Sequence, residues 1–179
     1  MSVMPCIDGS STKKDTTMKP INYVEALNSH YGSLGFPPYQ WTVNETAPLT
    51  TLSKPIEDCT VSLLTSGGVS HCSLPGFNPD ARNDHRLDTV QNDASSADFE
   101  INDSYYNHSD AESDLNCVFP IDRLRELADD GVIGSVATRL WSGFMGRIYN
   151  RTKVIQESAP AFVEKLKEDG VDILIAAPA

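Results

Sequence analysis

The sequence predicts a doubly wound, Rossmann-like α/β domain, a parallel sheet with helices on both faces. Three observations carry that expectation. Residues 59–65 and 171–176 are short apolar, β-branched runs that read as buried strands. Residues 120–130 and 158–169 place apolar side chains at three-to-four spacing, the pattern of helices with one buried face. Strand and helix alternate with short turns between them, an order that builds parallel sheets.

The elements follow in chain order. The first twenty residues carry Lys13, Lys14 and Lys19 among serines and threonines and no apolar core, so they read as a disordered extension rather than a secretory signal. Residues 21–32 predict a short helix with Tyr23, Val24 and Leu27 on one stripe. Residues 34–41 combine Pro37 and Pro38 with Phe36, Tyr39 and Trp41. Proline removes an amide donor and restricts the residue before it, so residues 21–57 read as an aromatic arm packing on the domain that begins at residue 58.

The strand at 59–65 runs directly into Ser66-Gly67-Gly68-Val69. Paired glycines let backbone amides approach a ligand, yet the pattern is neither GxGxxG nor a P-loop. A tight turn and a small-molecule loop both remain open there. Residues 73–116 read as an acidic loop, with eight aspartates from Asp80 to Asp114 against Arg82 and Arg86, and 98–101 as a short edge strand. Asp110, Glu112, Asp114 and Asn116 alternate like a calcium loop, but Leu115 and Ile121 stand where glycine and a bidentate glutamate are needed, so no metal is expected.

Pro120 opens a helix carrying Ile121, Leu124, Leu127 and Ala128 inward, and Gly131 closes it. Residues 132–137 predict the next strand and 141–146 a glycine-punctuated turn. The helix at 158–169 carries Ala159, Phe162, Val163 and Leu166 on one face, Gly170 ends it, and 171–176 is the last strand.

Composition narrows the function. The chain has 179 residues and a net charge of −11, which argues against nucleic acid or an anionic membrane as a partner. No apolar stretch approaches the ~20 residues that span a bilayer. Cys6, Cys59, Cys72 and Cys117 lack zinc-type spacing and fit a reducing, cytoplasmic compartment, with Cys59 and Cys117 expected as buried thiols. The sequons at Asn44, Asn102, Asn107 and Asn150 then read as chance occurrences. His71, His85 and His108 are candidate acid–base groups, the last beside the pair Tyr105-Tyr106.

The run from Asp114 through Leu115-Asn116-Cys117-Val118-Phe119-Pro120-Ile121-Asp122-Arg123-Leu124-Arg125-Glu126-Leu127-Ala128, followed by Gly131-Val132-Ile133-Gly134, resembles the selenoprotein B family of glycine, sarcosine, betaine and D-proline reductases. Thr65-Ser66-Gly67-Gly68-Val69, Phe144-Met145-Gly146, Ala159-Pro160 and Gly170-Val171-Asp172 extend the likeness over about residues 21–179. The prelude, Tyr31 to Trp41 and Lys54-Pro55, is more similar to stand-alone homologues than to the proline reductase subunit.

The resemblance implies an oxidoreductase that cleaves a carbon–nitrogen bond of an amino acid or betaine, with residues 58–179 as its reductase-like domain. In the family a selenocysteine, or a cysteine replacing it, follows the strand matching 171–176. Its selenolate attacks the α-carbon and thiols regenerate it. A pyruvoyl-containing subunit, a thioredoxin-type reductant and homo-oligomerisation are the implied partners. Gly67 and Gly68 would form the substrate pocket floor, Asp114 and Asn116 its mouth, and Met145 and Gly146 its wall, with Ser66 and His108 also among the implied substrate-binding residues. Asp114 and Asn116 equally suit a helix cap, Met145 suits core filling, and the catalytic residue itself is not assigned to any of these positions. Asp103 stands where relatives tend to carry a histidine before a tyrosine–aspartate pair, here Tyr106-Asn107.

The expectation is that the reading frame continues past Ala179 through a selenocysteine UGA or a cysteine codon, and that the 179-residue chain is inactive, with an incomplete sheet whose open edge favours self-association. The alternative is a catalytically inactive small-molecule-binding or assembly module of the same fold. A third class, an α/β lyase or racemase acting on small acids, would need a nucleophile or base already present, such as Cys72 or Cys117.

Overall fold

The computed structural model describes residues 22–38, 43, 45–46, 50–145 and 148–178. The chain divides into two units, Met1–Leu49 and Thr50–Ala179. In the first, α1 (Tyr23–Ser33) forms as predicted but buries none of its residues. Its end is closed by Gly35 at φ +81 and by the Phe36 N–H donating to the Tyr31 carbonyl, with the Phe36 ring edge-on to Tyr31. Tyr39, Trp41 and the lysine-bearing extension lie outside the described residues.

The second unit is a doubly wound α/β fold. Its central strand, β1 (Thr60–Thr65), is flanked in parallel by β7 (Ile173–Ala177) on one side. On the other side lie β5 (Ser135–Val136) and β6 (Arg139–Gly143), also parallel. An antiparallel strand, β3 (Leu87–Gln91), closes the β6 edge. The parallel strands therefore lie in the order second, first, third, and the direction of winding reverses between β1 and β7. In open α/β sheets ligands bind at the carboxyl ends of strands at such a switch point.

Each face of the sheet has its own cover. Val61 and Leu63 of β1 and Leu140 of β6 pack with Phe119 and with Ile121 and Leu124 of α3 (Ile121–Asp129), all at most 3% exposed. The alternating positions face the other helix: Trp141 meets Phe162 of α5 (Ala159–Glu168) edge-on at 5.2 Å between ring centres. Period-two alternation along β6 thus sends Leu140 and Trp141 to opposite helices.

Gly131 at φ +70 ends α3 as predicted, while Pro120 sits one residue before the first helical turn. The predicted strand 132–137 is shorter, only Ser135–Val136, and the predicted turn at 141–146 is strand as far as Gly143. Gly143 reads as a breaker in sequence, yet it is there because the Arg86 backbone crosses it: a Cβ would lie 2.2 Å from the Arg86 carbonyl. The helix at 158–169 is present, preceded by α4 (Arg151–Lys153) and one wide π turn over Val154–Ser158.

The acidic stretch 73–116 holds more regular structure than its composition predicts. It contains β3, β4 (Phe99–Ile101) and α2 (Ser109–Ser113). β4 pairs antiparallel with β2 (Val69–His71), which follows the glycine turn and bears out the short strand expected at 98–101. Two arginines organise the segment. Arg86 donates to Asp88 and to the Pro75 and Gly76 carbonyls, and its guanidinium lies over the Phe77 ring at 4.3 Å. Arg125 on α3 donates to the Asn92 and Ala94 carbonyls at 2.6 Å each. Charge-assisted bonds to backbone carbonyls supply order that hydrophobic periodicity does not reveal. No helix among the described residues is long and apolar enough to cross a membrane.

Candidate functional site

At the carboxyl end of β1 the chain turns through Ser66, Gly67 and Gly68 into β2. The turn is held against β7, the Ser66 N–H donating to the Ala177 carbonyl at 3.4 Å. Below it the buried Thr65 hydroxyl donates to the Val118 carbonyl at 2.7 Å and accepts from the Gly67 N–H at 3.2 Å. Gly68 adopts φ +68, and a Cβ there would lie 2.6 Å from the Asn102 carbonyl oxygen. Both the left-handed backbone and the close approach require glycine at that position.

Tyr106 reaches this turn from the segment between β4 and α2. Its hydroxyl donates to the Gly67 carbonyl at 2.9 Å. Burial, and secondarily the Asp103 carboxylate, push its phenol up to about 12. The His108 ring packs edge-on to Tyr106 at 5.8 Å, and its Nδ1 lies 2.8 Å from Glu112 Oε1 one turn along. Asp103 is buried and accepts the Tyr105 N–H at 2.7 Å. The switch point therefore gathers Ser66, Gly67, Gly68, Tyr106 and, behind Tyr106, His108.

Asp114 and Asn116 serve a neighbouring feature. Asn116 Oδ1 accepts the Asp122 N–H at 3.0 Å, while its Nδ2 donates to Asp114 Oδ1 and Asp122 Oδ2 at 2.8 and 3.1 Å. These are the bonds of a cap on α3, satisfying an amide its first turn leaves open. The same bonds hold the Asp114 and Asp122 carboxyls below their ordinary range. Both residues line a groove of about 540 Å³ between β4, α2 and the start of α3, shared with Glu100, Glu112 and Asp122. Ser66, Gly67, Gly68 and Met145 are not part of its lining.

Met145 is 4% exposed and fills space beyond the end of β6, and Gly146 lies outside the described residues. Cys59 is buried as expected, its thiol 3.3 Å from the Pro55 carbonyl. Cys117 is exposed, contrary to the expectation of a buried thiol, because the short turn Leu115–Cys117 turns its apolar neighbours Val118 and Phe119 inward instead. His71 bonds the Ser73 hydroxyl at 2.7 Å, and His85 lies 3.5 Å from the Ser158 hydroxyl. Among the described residues no group of three His, Cys, Asp or Glu side chains is placed to hold a metal ion. Sequence reasoning gave no site role to Tyr106 or Thr65, since neither sits in a spaced motif; the tyrosine pair next to His108 was the one available signal.

The second unit is thus a doubly wound α/β domain with a glycine turn and a half-buried phenol at its switch point. The chain belongs to the glycine/sarcosine/betaine reductase selenoprotein B family, whose model matches residues 38–178. It is 34% identical over 158 residues to the D-proline reductase subunit gamma of Acetoanaerobium sticklandii, an alignment covering 88% of this chain. The chain spans 61% of the length of that relative. No solved structure matches the chain.

Proposed function

We propose that this chain is the scaffold of a reductase component that cleaves the carbon–nitrogen bond of a small amino acid or betaine, with the carboxyl ends of β1 and β7 as the reaction site. The family match over residues 38–178 carries the reading, and the glycine turn held against the end of β7 supports its location. A selenolate, or a thiolate in its place, following Ala179 would supply a soft nucleophile for the α-carbon. What supports such a group there is that the turn held against the β7 end carries no side chain at Gly67 or Gly68.

What these residues contribute is binding and orientation. Gly67 and Gly68 form the floor, Ser66 joins the floor to the β7 strand, and Tyr106 with His108 closes the side toward α2. Asn116 sets the start of α3, and Asp114 with Glu100, Glu112 and Asp122 gives the adjoining groove a negative field suited to an amine. Met145 backs the wall from the end of β6. The net reaction adds two electrons and two protons across the carbon–nitrogen bond, with a dithiol oxidised to a disulfide. A partner subunit bearing a pyruvoyl group and a thioredoxin-type reductant complete the reading, as does self-association in a cytoplasmic setting.

The test is turnover by the complete gene product supplied with a dithiol and glycine, sarcosine, betaine or D-proline. The proposal expects one disulfide formed for each carbon–nitrogen bond cut, and loss of activity on alkylation with iodoacetate. Binding of these compounds without turnover in the presence of partner subunits would instead make the chain a binding or assembly module.

A further inference from the structure

One flank of α5 is apolar and open to solvent. Of the residues of α5 only Phe162 is buried, against Trp141. Val163 is 44% exposed, and Ile155, on the wide turn before the helix, is 70% exposed. With Ala159 and Pro160 they line an apolar groove. Contiguous apolar surface of this kind, bordered by polar residues, marks an interaction site. The charge around it narrows what fits. Residues 140–156 include Arg147, Arg151 and Lys153 and no acidic residue, in a chain whose net charge is −11. Arg151 lies one turn before Ile155, and both Arg151 and Lys153 are exposed. The apolar flank is thus bordered by cations, and its counterpart must combine apolar side chains with carboxylates.

The same chain carries that combination elsewhere. The groove between β4, α2 and the start of α3 has Phe99, Ile101, Ala111 and Leu115 in its lining, with Glu100 and Glu112 beside them. Both glutamates are exposed. The four apolar residues belong to, or pack against, the core on the α3 face of the sheet. Phe162 of α5 packs on Trp141 from the opposite face. The sheet therefore stands between the two surfaces, and one molecule cannot bring its own together. Two copies can.

We propose that the cation-bordered flank of α4 and α5 docks in the acid-rimmed groove of a second copy of this chain. Arg151 and Lys153 meet Glu100 and Glu112 at the rim, and Ile155 and Val163 cover the apolar lining between them. Two molecules of charge −11 repel each other over most of their surfaces, so association is confined to this matched pair. The contact joins two different surfaces and is therefore heterologous, the kind that builds rings or chains. The inference rests on the self-association included in the functional reading and assigns the surfaces that carry it. Neither surface includes the glycine turn, so the carbon–nitrogen chemistry does not depend on it.

The experiment is sedimentation velocity of the complete gene product over a concentration series. The wild type is expected to associate, and to do so less as sodium chloride rises from about 50 to about 500 mM. Arg151→Glu with Lys153→Glu is expected to weaken association about 10-fold, and Glu100→Lys with Glu112→Lys by a similar factor. All four substitutions in one chain restore opposite charges across the contact and are expected to recover association. Association that survives both reversals, or that the four-fold variant fails to recover, would overturn the inference and leave self-association in place. A wild type monomeric at every soluble concentration would overturn both, while turnover alone decides the carbon–nitrogen chemistry. Should a reversed variant not fold, the wild-type salt series decides, and association unmoved by salt would overturn the inference.

Discussion

Arg139, at the start of β6, grips Asp169, at the end of α5, with both arms of its guanidinium: Nε meets the two carboxylate oxygens at 2.9 and 2.8 Å, and Nη2 meets Oδ1 at 2.6 Å. The same guanidinium lies 5.2 Å from the centre of the Trp141 ring and donates to the Lys165 carbonyl. One side chain thus ties the last turn of α5 to the sheet just before the chain enters β7. Planar bidentate pairing is specific to arginine. Arg139→Lys and Asp169→Asn should each lower the thermal midpoint, and the double variant should lose less than the sum, a coupling that a double-mutant cycle reads.

Asn116 is expected to govern the acid limb of stability. Its hydrogen bonds depress the carboxyls of Asp114 and Asp122, more than the nearby arginines do, below the ordinary value of 3.8. A depressed folded-state value contributes stability above about pH 4, and that contribution is lost as pH falls through the folded value. Asn116→Ala should therefore flatten the fall in denaturant midpoint below pH 4. At neutral pH it should cost about 1 kcal/mol for the lost cap.

The alkaline limb should report Tyr106. Its phenol is pushed up to about 12, so the folded state favours the protonated form. That contribution is present below the ordinary tyrosine value of 10.0 and is lost as pH rises from there through about 12. A late-ionising phenol should appear in an ultraviolet absorbance titration of the folded chain and vanish in Tyr106→Phe.

Gly68 and Gly143 should not tolerate alanine. A Cβ would meet the Asn102 carbonyl oxygen at 2.6 Å in the first case and that of Arg86 at 2.2 Å in the second, both backbone atoms. Each substitution is expected to lower unfolding free energy by about 1–3 kcal/mol, measured by urea denaturation. Gly131→Ala has open space around it, so its cost comes from the φ of +70 alone.

What the sequence disclosed follows what hydrophobic periodicity can encode. β1, α3, α5 and β7 each carry a run of apolar residues at one clear period, and all four were legible. β3 was not, because an antiparallel edge strand buries one side chain, Val90, among Leu87, Asp88, Thr89 and Gln91. Its order comes from Arg86 and from pairing with β6, neither of which leaves a local signature. Gly143 misled for the opposite reason, since its glycine reflects a neighbour's backbone rather than a turn. At the site, Gly67 and Gly68 were legible because special backbone demands glycine. Tyr106 was not, because its partner is a carbonyl 39 residues away. Asp114 and Asn116 carried two readings, and their hydrogen bonds are those of the cap.

The amino end of β7 is anchored as firmly as its carboxyl end is presented. Asp172 Oδ2 accepts from the Lys54 ammonium and the Thr60 N–H at 2.7 Å each. That bond sets the register that brings Ala177 beside Ser66 and directs the strand end toward the glycine turn. The proposed chemistry depends on a nucleophile delivered at that point.

The coding sequence immediately after the Ala179 codon tests that claim most directly. The account predicts an in-frame UGA or a cysteine codon there, followed by further coding sequence. A UAA or UAG codon, or a continuing frame with neither selenocysteine nor cysteine at the end of the strand, would contradict it.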